Sequence, residues 1–426
     1  ARRISVKKFC VFVCEVLTPK SQMCVLQKER ALKCGVTVFD LYSLDSFLEE
    51  KSFDLRVTVD CIFGSGFHGE LPSEVSAALE SILRDDSFKI ACDIPTGLDS
   101  LGNASPLVFN ADVTVTMGAL KTALFSDEAK DCTGIIKTAS LGITESNFTP
   151  SECSTYLLEK EDLVLPLRKK QNVNKGSFGH AAVVLGEKTG AAVFAGQAAF
   201  AFGAGLVTLV KEDGNFAQNI PFELMTSSSF PENTSAAVIG PGLGRENQDA
   251  ENALAYVLEK NIPCVLDADI FYHDDIKAFL EKRSSLKAET LLTPHPKEFC
   301  ILLEKCGFGQ FTVQDAVKNR IQLAKEFCKK FPGVVLLLKG AVTLICVCNQ
   351  EANPVVYFNR LGTAALSKGG SGDVLCGMTA ALLAQKKTAL QSAVYASLAH
   401  ALSGAAFGES FSLTPQRLIE KVSELV

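Results

Sequence analysis

The chain has 426 residues, 47% of them apolar and 21% charged, which is material for two or three domains at about 150 residues each and excludes a collagenous, disordered or coiled-coil protein. Lys plus Arg number 42 against 48 Asp plus Glu, a formal charge of −6, and without a long basic run the footprint of a nucleic-acid binder is missing.

The first five residues, Ala1 to Ser5, are basic, but Lys7, Lys8 and Glu15 leave no apolar stretch long enough for a signal peptide. The chain lacks an initiator Met, which points to a start upstream of Ala1. Strand-like runs then recur at Phe9 to Cys14, Val36 to Asp40, Val57 to Phe63, Ile90 to Asp93 and Val113 to Met117. After a polar, irregular stretch from Thr144 to Lys175 they resume at Ala181 to Leu185, Leu206 to Val210, Ala236 to Ile239, Cys264 to Asp267, Thr290 to Leu292 and Val334 to Leu338. Helical stretches alternate with them, so the spacing predicts an α/β protein of parallel sheets covered by helices on both faces. The domain boundary falls near residue 150, giving domains 1–148 and 149–426.

Thr189 to Val210 is uncharged and long enough to cross a bilayer, but Gly190, Gly196, Gly203 and Gly205 interrupt it. It reads as a buried helix followed by a strand, so no membrane partner is expected. The fifteen Cys are scattered singles with no Cys-x-x-Cys pair, which calls for neither a zinc knot nor a disulfide framework and fits the reducing cytoplasm.

In the first domain, three strand ends carry chemistry. Val57 to Phe63 contains Asp60 and runs into Gly64-Ser65-Gly66, a turn able to bring backbone N–H groups to a phosphate. Ile90 to Asp93 closes on a carboxylate, the position where open α/β sheets bind ligands, although Asp93 also reads as a turn cap. The next strand leads through Gly118 and Ala119 to Lys121. In one sheet, Asp60, Asp93 and Lys121 would converge on one crevice.

These residues resemble the epimerase domain of the bifunctional NAD(P)H-hydrate repair enzymes, over about residues 8 to 145. The resemblance implies a Rossmann-like three-layer sandwich. It implies that Asp60 and Thr96 hold a potassium ion, that Gly64, Ser65, Gly66, Phe67, His68, Gly69 and Glu70 contact the nucleotide, and that Asp93 serves epimerisation at C6 of the hydrated nicotinamide. The family carries an Asn- and Gly-rich loop after its first strand, where this chain reads Glu15 to Gln22 with neither residue. That departure leaves open a degenerate epimerase, or a non-catalytic nucleotide-binding module.

In the second domain, Lys368-Gly369-Gly370-Ser371-Gly372-Asp373 precedes a helical run. Glycines at a helix start leave N–H groups aimed at one spot with the helix dipole behind them, a place built for phosphate. Asp373 in the first turn can orient or deprotonate an attacking hydroxyl; its bland reading is a helix cap. No Gly-x-x-x-x-Gly-Lys-Ser/Thr occurs, so this is not a P-loop. Lys339 ends an apolar strand, as an anion ligand or a surface lysine. His295 sits between two prolines, in a structural or a chemical role.

Gly-Gly-Ser-Gly-Asp resembles the anion hole of the ribokinase-like superfamily, whose domains are three-layer α/β/α. Taken in order with Lys175 to His180, Thr189 to Ala192, Gly203 to Thr208, Gly240 to Gly244, Val265 to Asp269, Thr293 to Glu298 and Leu338 to Thr343, the chain is similar to the ADP-dependent NAD(P)H-hydrate dehydratases. This implies that Ala191, Gly242, His295 and Asp373 touch hydrated NADH or NADPH. It further implies that Lys339, Gly340, Ala341, Val342, Thr343 and Gly372 hold the adenylate of ADP, that magnesium accompanies it, and that the protein is a homo-oligomer. The alternative within the superfamily is a vitamin kinase acting on a hydroxymethylpyrimidine or a thiazole.

Overall fold

The computed structural model describes residues 10–50, 56–142, 153–245 and 248–425. The expected boundary between 148 and 149, the basic start and Phe9 lie outside the described residues. The chain divides into two compact units, residues 1–150 and 151–426.

The first unit runs β1 (Phe12–Glu15), α1 (Gln22–Lys33), β2 (Thr37–Asp40), α2 (Leu44–Glu50), β3 (Val57–Asp60), α3 (Ser73–Arg84), β4 (Phe88–Cys92), β5 (Val113–Met117), α4 (Ala129–Cys132) and β6 (Ile135–Ala139). β1 and β2 form a parallel pair, and β3-β4-β5-β6 a four-stranded parallel sheet. The order places the carboxyl ends of β3, β4 and β5 side by side, so Asp60, Asp93 and Lys121 do share one rim. Val75, Leu79, Ala91 and Phe109 form the core under that rim, joined by Val16 and Leu17 from the loop after β1. That loop is therefore packed by apolar side chains where the family pattern has Asn and Gly.

The second unit begins with β7 (Thr155–Leu157), β8 (His180–Val184), α5 (Thr189–Ala201), β9 (Leu206–Val210), β10 (Met225–Ser227), β11 (Ala236–Ile239), α6 (Gln248–Glu259) and β12 (Cys264–Leu266). It continues with α7 (Ile276–Ser285), β13 (Thr290–Leu292), α8 (Pro296–Lys305), α9 (Val313–Lys318), α10 (Arg320–Lys330) and β14 (Val334–Leu338). The last elements are β15 (Thr343–Cys348), β16 (Pro354–Asn359), α11 (Ser371–Ala384), α12 (Ala389–Ala405) and α13 (Pro415–Ser423). One ten-stranded sheet has the order β10-β9-β8-β11-β12-β13-β14-β15-β16-β7.

Two expectations are corrected here. The sheet is not parallel throughout: β14, β15 and β16 are joined antiparallel, because the connections at 339–342 and 349–353 are too short for a crossover helix. The stretch from Thr144 to Lys175 is also not wholly irregular, since β7 pairs parallel with β16 at the sheet edge.

Central strands such as β8 and β14 are buried at every position, as expected for a sheet covered on both faces. α11 buries twelve of its fourteen residues; a helix apolar all round belongs in the core. Thr189 to Val210 forms α5 and β9, and among the described residues no helix is long and apolar enough to cross a membrane. None of the fifteen Cys is in a disulfide among the described residues.

Candidate active sites

The first unit's site is built on strand ends. Asp60 is buried, and its carboxylate accepts from the backbone N–H of Thr96 at 2.7 Å, from the Thr96 hydroxyl at 2.7 Å and from the N–H of Ile62 at 3.1 Å. The Thr96 hydroxyl oxygen in turn accepts from the N–H of Phe63 at 3.2 Å. Asp60 and Thr96 thus clamp the loop after β3 to the loop after β4. Asp60 accepts three hydrogen bonds, two on Oδ1 and one on Oδ2, which leaves one of a carboxylate's roughly four acceptor positions open, so the pair could give potassium only part of its oxygen shell.

Asp93 follows β4 with φ of 76°, a left-handed conformation that a non-glycine residue adopts at a cost of roughly 1–3 kcal/mol and that concentrates at functional sites. Its Oδ1 lies 2.6 Å from the Lys121 ammonium and accepts from the N–H of Met117 at 3.1 Å, while Oδ2 accepts from the N–H of Ser65 at 3.2 Å. Burial pushes this carboxyl up, but the bond from Lys121 and the two N–H donors outweigh it and hold it below the usual carboxylate range. A Cβ at Gly64 would stand 3.1 Å from Asp93 Oδ2, close enough that any side chain there would press on the carboxylate. Of the residues expected to contact nucleotide, Ser65, Gly66, Gly69 and Glu70 are exposed, whereas Phe67 is buried and stacked on Phe63 at 4.8 Å. His68 is turned back onto the carbonyl of Gly66 at 2.9 Å.

In the second unit, Gly370 (φ 90°) turns the chain into α11. The N–H of Ser371 bonds Lys368 and that of Val374 bonds Gly370. The N–H groups of Gly372 and Asp373 between them have no partner among the described residues, leaving two donors at the positive end of the helix dipole. Lys339, at the end of β14, stands against this turn: its ammonium is 3.3 Å from where a Cβ on Gly372 would be. It is no surface lysine, for it pairs with the buried Asp267 at 2.9 Å and with Glu298 at 3.7 Å. Burial disfavours its charge, but these two carboxylates overcome that and raise its pKa.

Asp373 is pushed up to about 6, first by burial and then by the charge of Asp267, with Lys339 opposing and Glu298 and Asp269 adding to the rise. A carboxylate poised near neutral pH is what a general base needs. His295 caps α8: its Nδ1 accepts from the N–H of Lys297 at 3.1 Å and of Glu298 at 3.4 Å, so Nε2 carries the proton that faces Glu298 Oε1 at 3.1 Å. His295, Glu298, Lys339 and Asp267 are linked in that order, and within this chain it is the Lys339 ammonium that stands against Gly372. Ala191 and Gly242 also meet, a Cβ on Gly242 falling 3.0 Å from that of Ala191. Of the expected adenylate contacts, Gly340 and Ala341 are exposed and Thr343 partly so, but Val342 is buried, its carbonyl accepting from Arg320 at 3.0 Å.

Sequence reasoning gave no role to Asp267 and Glu298, which hold Lys339, or to His400, which contacts Ser371 at 3.1 Å. For Glu298 the signal was its spacing three residues after His295, a capping box. Asp267, Glu298 and Asp269 act on Asp373 through their charge, against Lys339, but among the described residues no three His, Cys, Asp or Glu side chains are placed to hold a metal ion, so a divalent cation would have to be held largely by the nucleotide's own phosphates.

Residues 181–424 match the family described as NAD(P)H-hydrate dehydratase, and residues 1–123 the family described as YjeF-related protein N-terminus. The chain is 42% identical over 427 residues to the bifunctional NAD(P)H-hydrate repair enzyme Nnr of Helicobacter pylori, covering all of this chain and 86% of that protein. It is 33% identical over 359 residues to the corresponding enzyme of Coxiella burnetii, covering 80% of this chain and 69% of the relative. Among solved structures, an ADP/ATP-dependent NAD(P)H-hydrate dehydratase from Bacillus subtilis, co-crystallised with ATP and magnesium, superimposes with a TM-score of 0.52 at 25% identity, covering 63% of this chain and 96% of that one.

Proposed function

The chain belongs to the family of bifunctional NAD(P)H-hydrate repair enzymes, and from that premise we propose that its second unit transfers the β-phosphoryl group of ADP to the C6 hydroxyl of the S form of hydrated NADH or NADPH. Asp373 takes the hydroxyl proton as the new O–P bond forms and the bond to the AMP oxygen breaks. Phosphate then leaves C6 and a proton leaves C5, restoring NAD(P)H. The observation that carries this reading is the half-buried Asp373 beside Lys339 and two N–H groups that have no partner among the described residues. Those donors face the charge that develops on the phosphoryl oxygens, where each is worth roughly 10²–10³ in rate. Magnesium, riding on the nucleotide phosphates, would supply further charge neutralisation. His295, Ala191 and Gly242 line the hydrate's side; Gly340, Ala341 and Thr343 line the adenylate's.

For the first unit, the proposal is epimerisation of the R and S hydrates. Asp93, ionised at neutral pH, balances the cationic C6 centre left when hydroxide departs, takes the proton of the water that adds to the other face, and returns that proton to the departed hydroxide, which leaves as water. Lys121 orients Asp93. No step here runs through potassium. Cytoplasmic residence and a homo-oligomeric assembly complete the reading, the latter checked by light scattering.

The experiment is incubation of the chain with racemic hydrate and either ADP or ATP, following the absorbance of reduced nicotinamide and the AMP formed. Wild type restores the absorbance with AMP as by-product. Asp373→Asn abolishes it with the fold intact, a general base being worth about 10²–10⁴ in rate; AMP formation within about tenfold of wild type would overturn the assignment.

A further inference from the structure

His400 lies on α12, a helix of alanine, serine and leucine that is buried along most of its length. Its Nε2 stands 3.0 Å from the carbonyl oxygen of Ser371 and 3.1 Å from the Ser371 hydroxyl. A carbonyl oxygen can only accept, so Nε2 carries the proton and offers it to both oxygens. Burial keeps the imidazole neutral, pushing its pKa down to about 4 against the pull of the Ser371 carbonyl, so this arrangement does not change between pH 5 and 8.

Ser371 is the first residue of α11, two positions ahead of Asp373, and is itself buried. With its oxygen facing the His400 donor, its hydroxyl hydrogen has no acceptor among the described residues. The N–H groups of Gly372 and Asp373 at the same helix start likewise have no partner among the described residues. An imidazole in an apolar helix costs free energy unless its polar atoms are used, and here the use is directed at the phosphate-binding turn.

We propose that His400 is a positioning residue for phosphoryl transfer, holding Ser371 so that its hydroxyl hydrogen joins the N–H groups of Gly372 and Asp373 as a third donor to the migrating group. This rests on the dehydratase reading of the second unit. His400 itself touches neither substrate nor nucleotide; it acts through Ser371.

The test uses the full chain in four variants, Ser371→Ala, His400→Leu, His400→Gln and the Ser371→Ala/His400→Leu double. Each is measured for kcat and KM in ADP-dependent dehydration, for ADP affinity by calorimetry and for thermal unfolding. Ser371→Ala removes one oxygen and keeps the backbone, so it remains informative if His400→Leu fails to fold. Ser371→Ala and His400→Leu are expected to lower kcat about 10- to 100-fold, the worth of one donor or somewhat less, with the hydrate's KM within about twofold. His400→Gln, whose amide nitrogen can donate from about the same place, recovers to within about fivefold of wild type. The double variant is no slower than Ser371→Ala, because the two residues act as a unit. A Ser371→Ala rate equal to wild type, a His400→Gln as slow as His400→Leu, or multiplied losses in the double would each overturn the inference. An inactive wild type would instead overturn the dehydratase reading; the inference is then judged on ADP affinity, which Ser371→Ala and His400→Leu must weaken by more than about threefold.

Discussion

Two aspartates at element ends have been pushed in opposite directions by their surroundings. Asp93 is held low by Lys121 and two N–H groups despite its burial, and Asp373 is lifted to about 6 by burial and by Asp267. Such divergence separates a permanently ionised group from one that exchanges a proton near neutral pH, and it has a cost in stability. In the unfolded chain Asp373 titrates near 3.8. Between that value and about 6 the folded chain keeps a proton that the unfolded chain has lost, so stability falls as pH rises through this window and stays lower above it. At about 1.4 kcal/mol for each pH unit that the window spans, the native state gives up on the order of 3 kcal/mol by burying the ionised carboxylate. Asp373→Asn carries no such charge, so it should melt above wild type at pH 8, with the gap closing towards pH 4. Thermal melts at the two values check this, and a variant no more stable at pH 8 would show that the carboxylate is well solvated after all. The same ionisation predicts that kcat/KM for dehydration rises with pH through about 6 and then levels.

At the scale of elements, the Asp373 turn is placed by the crossing of α11 over α5. A Cβ on Gly377 would stand 2.0 Å from the carbonyl oxygen of Ala195, so the two helices touch backbone to backbone and only glycine permits it. Gly377→Ala should cost roughly 2–4 kcal/mol in denaturant unfolding, an overpacking penalty at its upper end, and should slow dehydration by moving the turn; a loss under about 0.5 kcal/mol would mean the crossing yields easily. Much of this element layout was legible. β9, β11, β13 and β14 fall where the apolar runs put them, because a strand covered on both faces is built mainly of such residues; β5, which alternates Val with Thr, shows a strand's β-branched composition instead. The antiparallel β15 and β16 escape such a reading, since 339–343 draws attention as a possible nucleotide loop and a hairpin inside a parallel series breaks the pattern. β7, three residues at a sheet edge, is too short to show a period. The site divides in the same way. Asp93, Lys121, Lys339 and Asp373 were visible because each closes or opens an element. The pairing of Lys339 with Asp267, 72 residues away in sequence, and the contact of His400 with Ser371, 29 residues away, are products of sheet order and helix packing that local pattern does not carry.

For the whole molecule, one candidate site lies at the rim of the four-stranded sheet and the other at a helix start beside the ten-stranded sheet, each assembled from residues of its own unit. Chemistry links them more than architecture does: phosphoryl transfer at a chiral carbon accepts one hand of the hydrate, so a racemate is cleared only if the other hand is converted first. Asp93→Asn leaves Asp373, Lys339 and the α11 turn untouched. Given racemic hydrate and ADP, this variant should consume the S form at the wild-type rate and then stall with the R form remaining, creeping on only as fast as the hydrates interconvert unaided. Asp373→Asn should do the reverse, forming no AMP while chiral chromatography shows R and S exchanging. Mixing the two variants should restore full clearance, since the hydrate is free to diffuse from one protein to the other. If Asp93→Asn slowed consumption of pure S hydrate by more than about tenfold, a change worth about 1.4 kcal/mol in the barrier, the two sites would be energetically coupled. If Asp93→Asn cleared the racemate as fast as wild type, the packed loop after β1 would mark a first unit that no longer turns over the hydrate.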